Sequence, residues 1–273
     1  ETSSLQKKTL TATVDHMPKR RRSCSPERVT HPRRSSRVKS TSDAVARLIY
    51  SGRGLPGRID VMEERAIDRS VMHIHDQGAR GTCCAHAATF CHELLRGGSQ
   101  LSWEDAFQDD WEDEATLHTG NRFIGALLSE CTKLIEYKGQ RLQNSSSDDA
   151  NLYFRAQFRR IAGGDVDLLK TTLAGGSPVA VSIDRFKTLS PGGKVELRNH
   201  RLCNLTDSDS ESHAIALVGY EDSEGEEGGG LFLFANSHGS TWGDGKGMGT
   251  MSYSFYKTFA REAFAAVSIT NAS

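Results

Sequence analysis

Large apolar side chains are scarce up to roughly residue 45, where Ser, Thr, Lys and Arg dominate. Such a segment cannot bury a core and is expected to be a disordered tail. Gly52 through Gly57, with Pro56, reads as the hinge into the folded body. From Cys83 to about Arg96, the residues Ala87, Ala88, Cys91, Leu94 and Leu95 fall on one side of a helix that Gly97-Gly98 ends. Leu101 to Trp111 is acidic and partly helical. Phe123, Ile124, Leu127, Leu128, Cys131, Leu134 and Ile135 recur at helical spacing and predict a second helix over about 120–136. Asn144 to Asp149 reads as a polar loop. Past Leu152 the texture changes. A short helix is expected over Asp165–Leu173, and strands over Pro178–Ile183, His213–Tyr220, Leu231–Asn236 and Met248–Phe255. The last two are preceded by glycine-rich turns.

Helices gathered in the first half of the body and strands in the second indicate an α+β fold in two lobes. The expected organisation is a tail and hinge over 1–57 and a folded domain over 58–273. Within it a helical lobe covers about 70–160 and a β-rich lobe about 161–270. With 273 residues, 37% hydrophobic and 25% charged, the chain has material for a sizeable core. No apolar run approaches the length of a bilayer-spanning helix. The net charge of −1 hides an asymmetry, because residues 1–50 carry +8 and the remainder about −9. Lys19-Arg20-Arg21-Arg22 fits a weak contact to nucleic acid or an import receptor, and equally a solvated tail. Six cysteines in a chain of this length do not form a disulfide scaffold.

The chemistry concentrates in Asp76–Ala88, where a polar, glycine-punctuated loop runs into Cys83 at the start of a helix. Free N–H groups and the helix dipole favour thiolate there, which makes Cys83 the candidate nucleophile. Covalent acyl transfer also needs a base, a group that orients the base, and oxyanion donors. Among ten histidines, His213 stands out because it opens an apolar strand after the polar loop Thr206–Ser212. Asn236 ends the expected partner strand, so pairing would bring its amide near His213.

These motifs resemble those of papain-like (C1-type) cysteine peptidases over roughly residues 70–256. Gln77 precedes Cys83 by six residues, as the family's oxyanion glutamine precedes its nucleophile. Ser212-His213-Ala214-Ile215-Ala216-Leu217-Val218-Gly219-Tyr220 resembles the histidine motif, and Asn236-Ser237-His238-Gly239-Ser240-Thr241-Trp242-Gly243 the asparagine motif. Leu101-Ser102 and Pro178-Val179-Ala180-Val181 resemble two further family segments. The resemblance implies a papain-like fold with a cleft between its lobes and thiol-dependent peptide hydrolysis through an acyl-enzyme. Cys83 would be the nucleophile, His213 the base and acid, Asn236 its orienting group and Gln77 an oxyanion donor. Peptide or protein would be the substrate, with no cofactor and no metal.

The departures bear on activity. Cys84 and His86 stand where the family usually has aromatic residues, and His238 replaces the tryptophan that covers the Asn–His hydrogen bond. A non-catalytic binding module that keeps the cleft is therefore the alternative. Arg80 replaces a bridging cysteine, and no long helical propeptide precedes the domain, so an intracellular setting, cytoplasmic or nuclear, is expected. Cys84, Cys91, Cys131 and Cys203 read as small core hydrophobes. His73, His75, Cys83, Cys84, His86, Cys91 and His92 crowd together, yet their spacings match no zinc pattern.

Overall fold

The computed structural model describes residues 54–69, 72–108, 126–143, 145, 153–185, 193–195 and 211–271, all within the unit Lys39–Ser273. The basic tail, Phe123, Ile124, Cys203 and most of Asn144–Asp149 lie outside them. The elements in order are β1 (Arg58–Asp60), α1 (Val61–Glu64), α2 (Cys83–Leu95), a 3-10 turn (Trp103–Ala106), α3 (Leu128–Tyr137), β2 (Phe154–Ile161), α4 (Val166–Ala174), β3 (Val179–Arg185), β4 (Lys194–Val195), β5 (Glu211–Asp222), β6 (Gly230–Ala235), β7 (Met248–Ser252), α5 (Tyr253–Phe259) and β8 (Ala260–Asn271).

One sheet runs in the order β2-β8-β3-β5-β6-β7-β4, with β1 also pairing β5. All pairs are antiparallel except β4 with β7. Side chains alternate across the sheet, and the two faces differ in size. Ala180, Ala214, Ala216 and Ala235 look toward the cluster that holds α2 and α3. Val179, Val181, Ile183, Ile215, Leu217, Phe232 and Phe234 look the other way, toward Leu169 and Leu173 of α4 and Phe255 and Tyr256 of α5. Small residues on the first face meet Ala85, Ala87 and Ala88 of α2, so the helix sits close to the strands that carry the rest of the site.

Helix α2 is buried on every side from Cys84 to Leu94. Its buried polar side chains find partners, as burial requires, although His86 Nε2 and His92 Nε2 have none among the described residues. His92 Nδ1 lies 2.9 Å from Gln140 Oε1, while Gln140 Nε2 donates to Thr89 Oγ1 at 2.6 Å and to the Ser102 carbonyl at 2.9 Å. Glu93 accepts from the Leu101 N–H at 2.8 Å. The helix ends at Gly97 and Gly98, with φ of 79° and 92°, and the Gly98 N–H returns to the Glu93 carbonyl at 2.8 Å.

Several elements differ from the periodicity. Helix α3 starts at Leu128, because Leu127 is extended at φ −73°, ψ 143° and serves as its N-cap. The strand expected over Met248–Phe255 stops at Ser252, whose side chain caps α5 by accepting from the Phe255 N–H. Strands β2 and β8 were not expected, and β2 joins the sheet before residue 161. The end of the hinge is bound to the sheet: the Tyr220 hydroxyl donates to the Pro56 carbonyl at 2.8 Å, and the Asp222 N–H to the Gly57 carbonyl at 2.7 Å.

Candidate active site

Cys83 occupies the first turn of α2, where backbone N–H groups have no partner within the helix. It is half-buried and free. Its thiol interacts with Cys84, with the His213 side chain and with the backbone of Ala214. These contacts and the His213 charge hold it well below the usual thiol range, against burial, which raises it. Cys84 moves the opposite way. Its bond to Cys83, its burial and the charges of Cys83, Cys131 and Glu262 push it well above.

His213 arrives on β5, pairs with Ile183 of β3, and is 2% exposed. Ala235 pairs with Ala216, so Asn236 leaves β6 beside the His213 end of β5. His213 Nε2 lies 2.7 Å from Asn236 Oδ1 and donates to it. With Nε2 used in this way, Nδ1 is the nitrogen left for the thiol. Asn236 Oδ1 also accepts from the Ser237 N–H at 2.8 Å, and its Nδ2 lies 3.1 Å from His238 Nδ1. The His238 ring sits 5.0 Å from that of His213, tilted by 34°. It thus packs beside the His213 ring and bonds Asn236, at the position where the family pattern has an indole.

Gln77 belongs to a loop stitched to the asparagine loop. The Gln77 N–H donates to the Ser237 carbonyl and the Gly239 N–H to the His75 carbonyl, each at 2.9 Å. The Gln77 side-chain oxygen accepts from Ser237 Oγ. Its Nε2 gives one N–H to the Arg80 carbonyl at 2.7 Å, and an oxyanion would use the second. Cys83 thus interacts with His213, Asn236 holds His213, and Gln77 is tied to the residue after Asn236. Ser237 was not singled out in the sequence, although it sits between two motif residues.

A second polar group lies behind the nucleophile. His75 Nε2 is 3.0 Å from Glu93 Oε2, and His75 Nδ1 is 2.8 Å from His86 Nδ1. The His86 ring packs on Trp103 at 4.6 Å. Burial, then the charges of His75, His73 and Arg80, push His86 down to about 3. These histidines, crowded in sequence, thus bond the Gln77 loop to α2. Among the described residues no three His, Cys, Asp or Glu are grouped to hold a metal ion. No described helix is long and apolar enough to cross a membrane. Cys91 and Cys131 are fully buried.

The chain spans about half the length of a curated relative it matches, a cathepsin L-like peptidase from Aedes aegypti. The two are 38% identical over 194 residues, which is 64% of this chain and 54% of the relative. Among solved structures, xylellain, a cysteine protease from Xylella fastidiosa, superposes with a TM-score of 0.59 at 20% identity, covering 85% of this chain and 90% of that one. The digestive procathepsin L 3 of Tenebrio molitor larval midgut gives 0.57 at 19%, covering 84% and 79%. At these identities the likeness establishes the papain-like α+β fold. A family profile for papain family cysteine proteases matches residues 110–266, a span that contains His213 and Asn236 and begins after Gln77 and Cys83. With more than half of its length matched, the chain belongs to the papain family of cysteine proteases.

Proposed function

We propose that the chain hydrolyses peptide bonds in peptide or protein substrates, with Cys83 as nucleophile. The observation that carries this reading is the hydrogen bond from His213 Nε2 to Asn236 Oδ1 at 2.7 Å, on a ring whose interaction with the Cys83 thiol holds that thiol low. In it, His213 Nδ1 holds the thiol proton, and the Cys83 thiolate adds to the substrate carbonyl carbon. The Cys83 backbone N–H and Gln77 Nε2 receive the oxyanion, a contribution of about 3 kcal/mol to the barrier for one such donor. His213 then gives its proton to the leaving amine. Water, deprotonated by the same nitrogen, hydrolyses the thioester. Asn236 keeps the ring in the orientation that serves both transfers. The reading carries with it a reducing compartment, in which the thiol persists; Arg80 at the place of a bridging cysteine supports that.

A peptidyl epoxide or vinyl sulfone should label Cys83 in native protein and leave Cys83→Ala unlabelled. Labelling that persists in that variant, or that maps to Cys84, overturns the assignment. The alternative of a non-catalytic binding module draws on His238, which accepts Asn236 Nδ2 as an imidazole in place of the indole cover. Peptide binding without turnover under reducing conditions, together with unlabelled Cys83, would select it.

A further inference from the structure

Two cysteines stand side by side at the start of α2, and peptide hydrolysis uses one. Cys83 is half-buried, Cys84 is 8% exposed, and the two thiols interact with each other. Cys131 of α3 is fully buried in the same cluster. The family resemblance leads to an indole at the place of Cys84, and an indole takes no part in sulfur exchange.

A thiolate at a cleft is the group that a peroxide reaches first. Its sulfur attacks one peroxide oxygen, the O–O bond breaks, hydroxide leaves, and Cys83 becomes a sulfenic acid with the peroxide reduced by two electrons. Further peroxide carries a solitary sulfenic acid to sulfinic and sulfonic acids, from which thiols do not recover it. We propose that Cys84 is the resolving thiol of Cys83, so that hydroperoxide inactivation ends in a Cys83–Cys84 disulfide that a dithiol reverses. In the second step the Cys84 sulfur attacks the Cys83 sulfur. The S–S bond forms, the S–O bond breaks, and the departing hydroxide combines with the thiol proton as water. A dithiol returns two electrons and two protons and becomes a disulfide itself.

The start of the helix suits this change. Adjacent Cα atoms are about 3.8 Å apart, shorter than the usual disulfide range of roughly 4.4–6.8 Å, so ring closure draws the first turn out of helical geometry. Thr82, the N-cap, makes no side-chain cap bond, and its buried hydroxyl has no hydrogen-bond partner among the described residues. Its carbonyl accepts the His86 N–H at 3.1 Å. Unwinding that turn carries Cys83 away from His213 and leaves a bond that reductants open readily. The charge on Cys83 helps keep Cys84 protonated in the reduced enzyme. Oxidation removes that charge and frees Cys84 to attack.

The inference rests on Cys83 being the peptidase nucleophile, and its test reads the sulfurs directly. The full chain is treated with hydrogen peroxide, alkylated and digested with trypsin, before and after dithiothreitol, beside Cys84→Ser and Cys131→Ser. In wild type the peptide from Gly81 to Arg96 should carry one alkyl group, on Cys91, and be lighter by two hydrogens than the same peptide with Cys83 and Cys84 as thiols, with fragmentation placing the bond at Cys83 and Cys84. Dithiothreitol should restore both thiols, and turnover with them. In Cys84→Ser, Cys83 should end as sulfinic or sulfonic acid, with recovery lower by about tenfold; Cys131→Ser should behave as wild type. Over-oxidised Cys83 beside an intact Cys84 thiol, or a bridge to Cys131, overturns the inference, and the wild-type map decides this even if a variant fails to fold. A bridge in protein that turns over no peptide sinks the peptidase reading instead. Active protein whose Cys83 over-oxidises sinks only the resolving role.

Discussion

Asn236 accepts two hydrogen bonds on one oxygen, from His213 Nε2 and from the Ser237 N–H, and so fixes the His213 ring. Replacing it by alanine leaves Nε2 buried without its acceptor and frees the ring to turn. Asn236→Ala should lower kcat/KM by on the order of 10²-fold, measured on a fluorogenic peptide. Gln77→Ala removes the side-chain oxyanion donor. It should lower kcat by about 10²-fold or more with little change in KM, and a loss confined to KM would remove Gln77 from the oxyanion hole. Cys84 acts differently. Its interaction with Cys83 is the largest of the causes that hold that thiol low, so Cys84→Ala should raise the Cys83 pKa. At a given pH below that value less thiolate is present, and the rise of iodoacetamide alkylation with pH should move to higher pH; a shift toward lower pH contradicts this. The four catalytic candidates were legible because each sits in a spaced motif. The influence of Cys84 was not, because burial and thiol–thiol contact are invisible in a string of letters, where Cys84 reads as a core hydrophobe.

Helix α2 shows which parts of an element a sequence exposes. Its ends follow from the Cys83 loop and from Gly97-Gly98, and its apolar stripe from Ala87, Ala88, Cys91 and Leu94. The burial of its polar side follows from long-range partners: Gln140 for His92, and His75 for His86. Strand β2 was hidden because FRAQFRRI puts polar Gln157, Arg159 and Arg160 on its exposed positions and has only two buried residues, Ala156 and Ile161. Strand β8 was hidden because its alanine-rich start favours helix locally, while pairing with β2 and β3 makes it a strand. The buried histidines of α2 carry a consequence for stability. His86 sits at about 3 and His92 at about 4, both lowered first by burial, whereas unfolded histidine titrates near ~6.5. Between those values the unfolded chain binds protons that the folded chain excludes. This contribution is therefore complete above about pH 6.5 and is lost as pH falls, toward about 4 for His92 and about 3 for His86, at roughly 1.4 kcal/mol per pH unit for each proton. Urea denaturation at several pH values should show the decline. His86→Phe should reduce its slope by about one proton, and an unchanged slope would show that His86 protonates in the folded state.

At the scale of the molecule, the nucleophile comes from the helical side and the base from the sheet, so the site depends on how the chain between them is anchored. Strand β5 organises this. Its first half pairs with β3 through Glu211–Leu217, and along the same edge β1 continues where β3 stops, with Asp60 opposite Gly219 and Arg58 opposite Glu221. The other edge takes β6, with an irregularity between Leu217 and Gly219. Strand β1 leads through Asp60, which caps α1 by accepting from the Met62 N–H at 3.0 Å and pairs with Arg69, toward the Gln77 loop and α2. At Gly219 β1 lies close against β5, since a Cβ there would collide with the Ile59 carbonyl and meet Leu233 and Asp60. Neither backbone side of that contact yields without loss of strand pairing. Gly219→Ala should therefore destabilise the fold by about 1–3 kcal/mol in urea denaturation. It should also speed hydrogen exchange in the Arg58–Asp60 segment more than at Val179–Ile183. Gly225→Ala, at a position where a Cβ meets nothing within 4 Å, is the control and should leave both measurements unchanged. Because His213 lies on the half of β5 that β3 holds, the folded fraction of Gly219→Ala should keep its reactivity toward a Cys83-directed probe. Loss of labelling in step with faster exchange at Arg58–Asp60 would mean that β1 anchors the catalytic geometry itself, and a Gly219→Ala protein as stable as wild type would mean that the close contact is not a constraint on the fold.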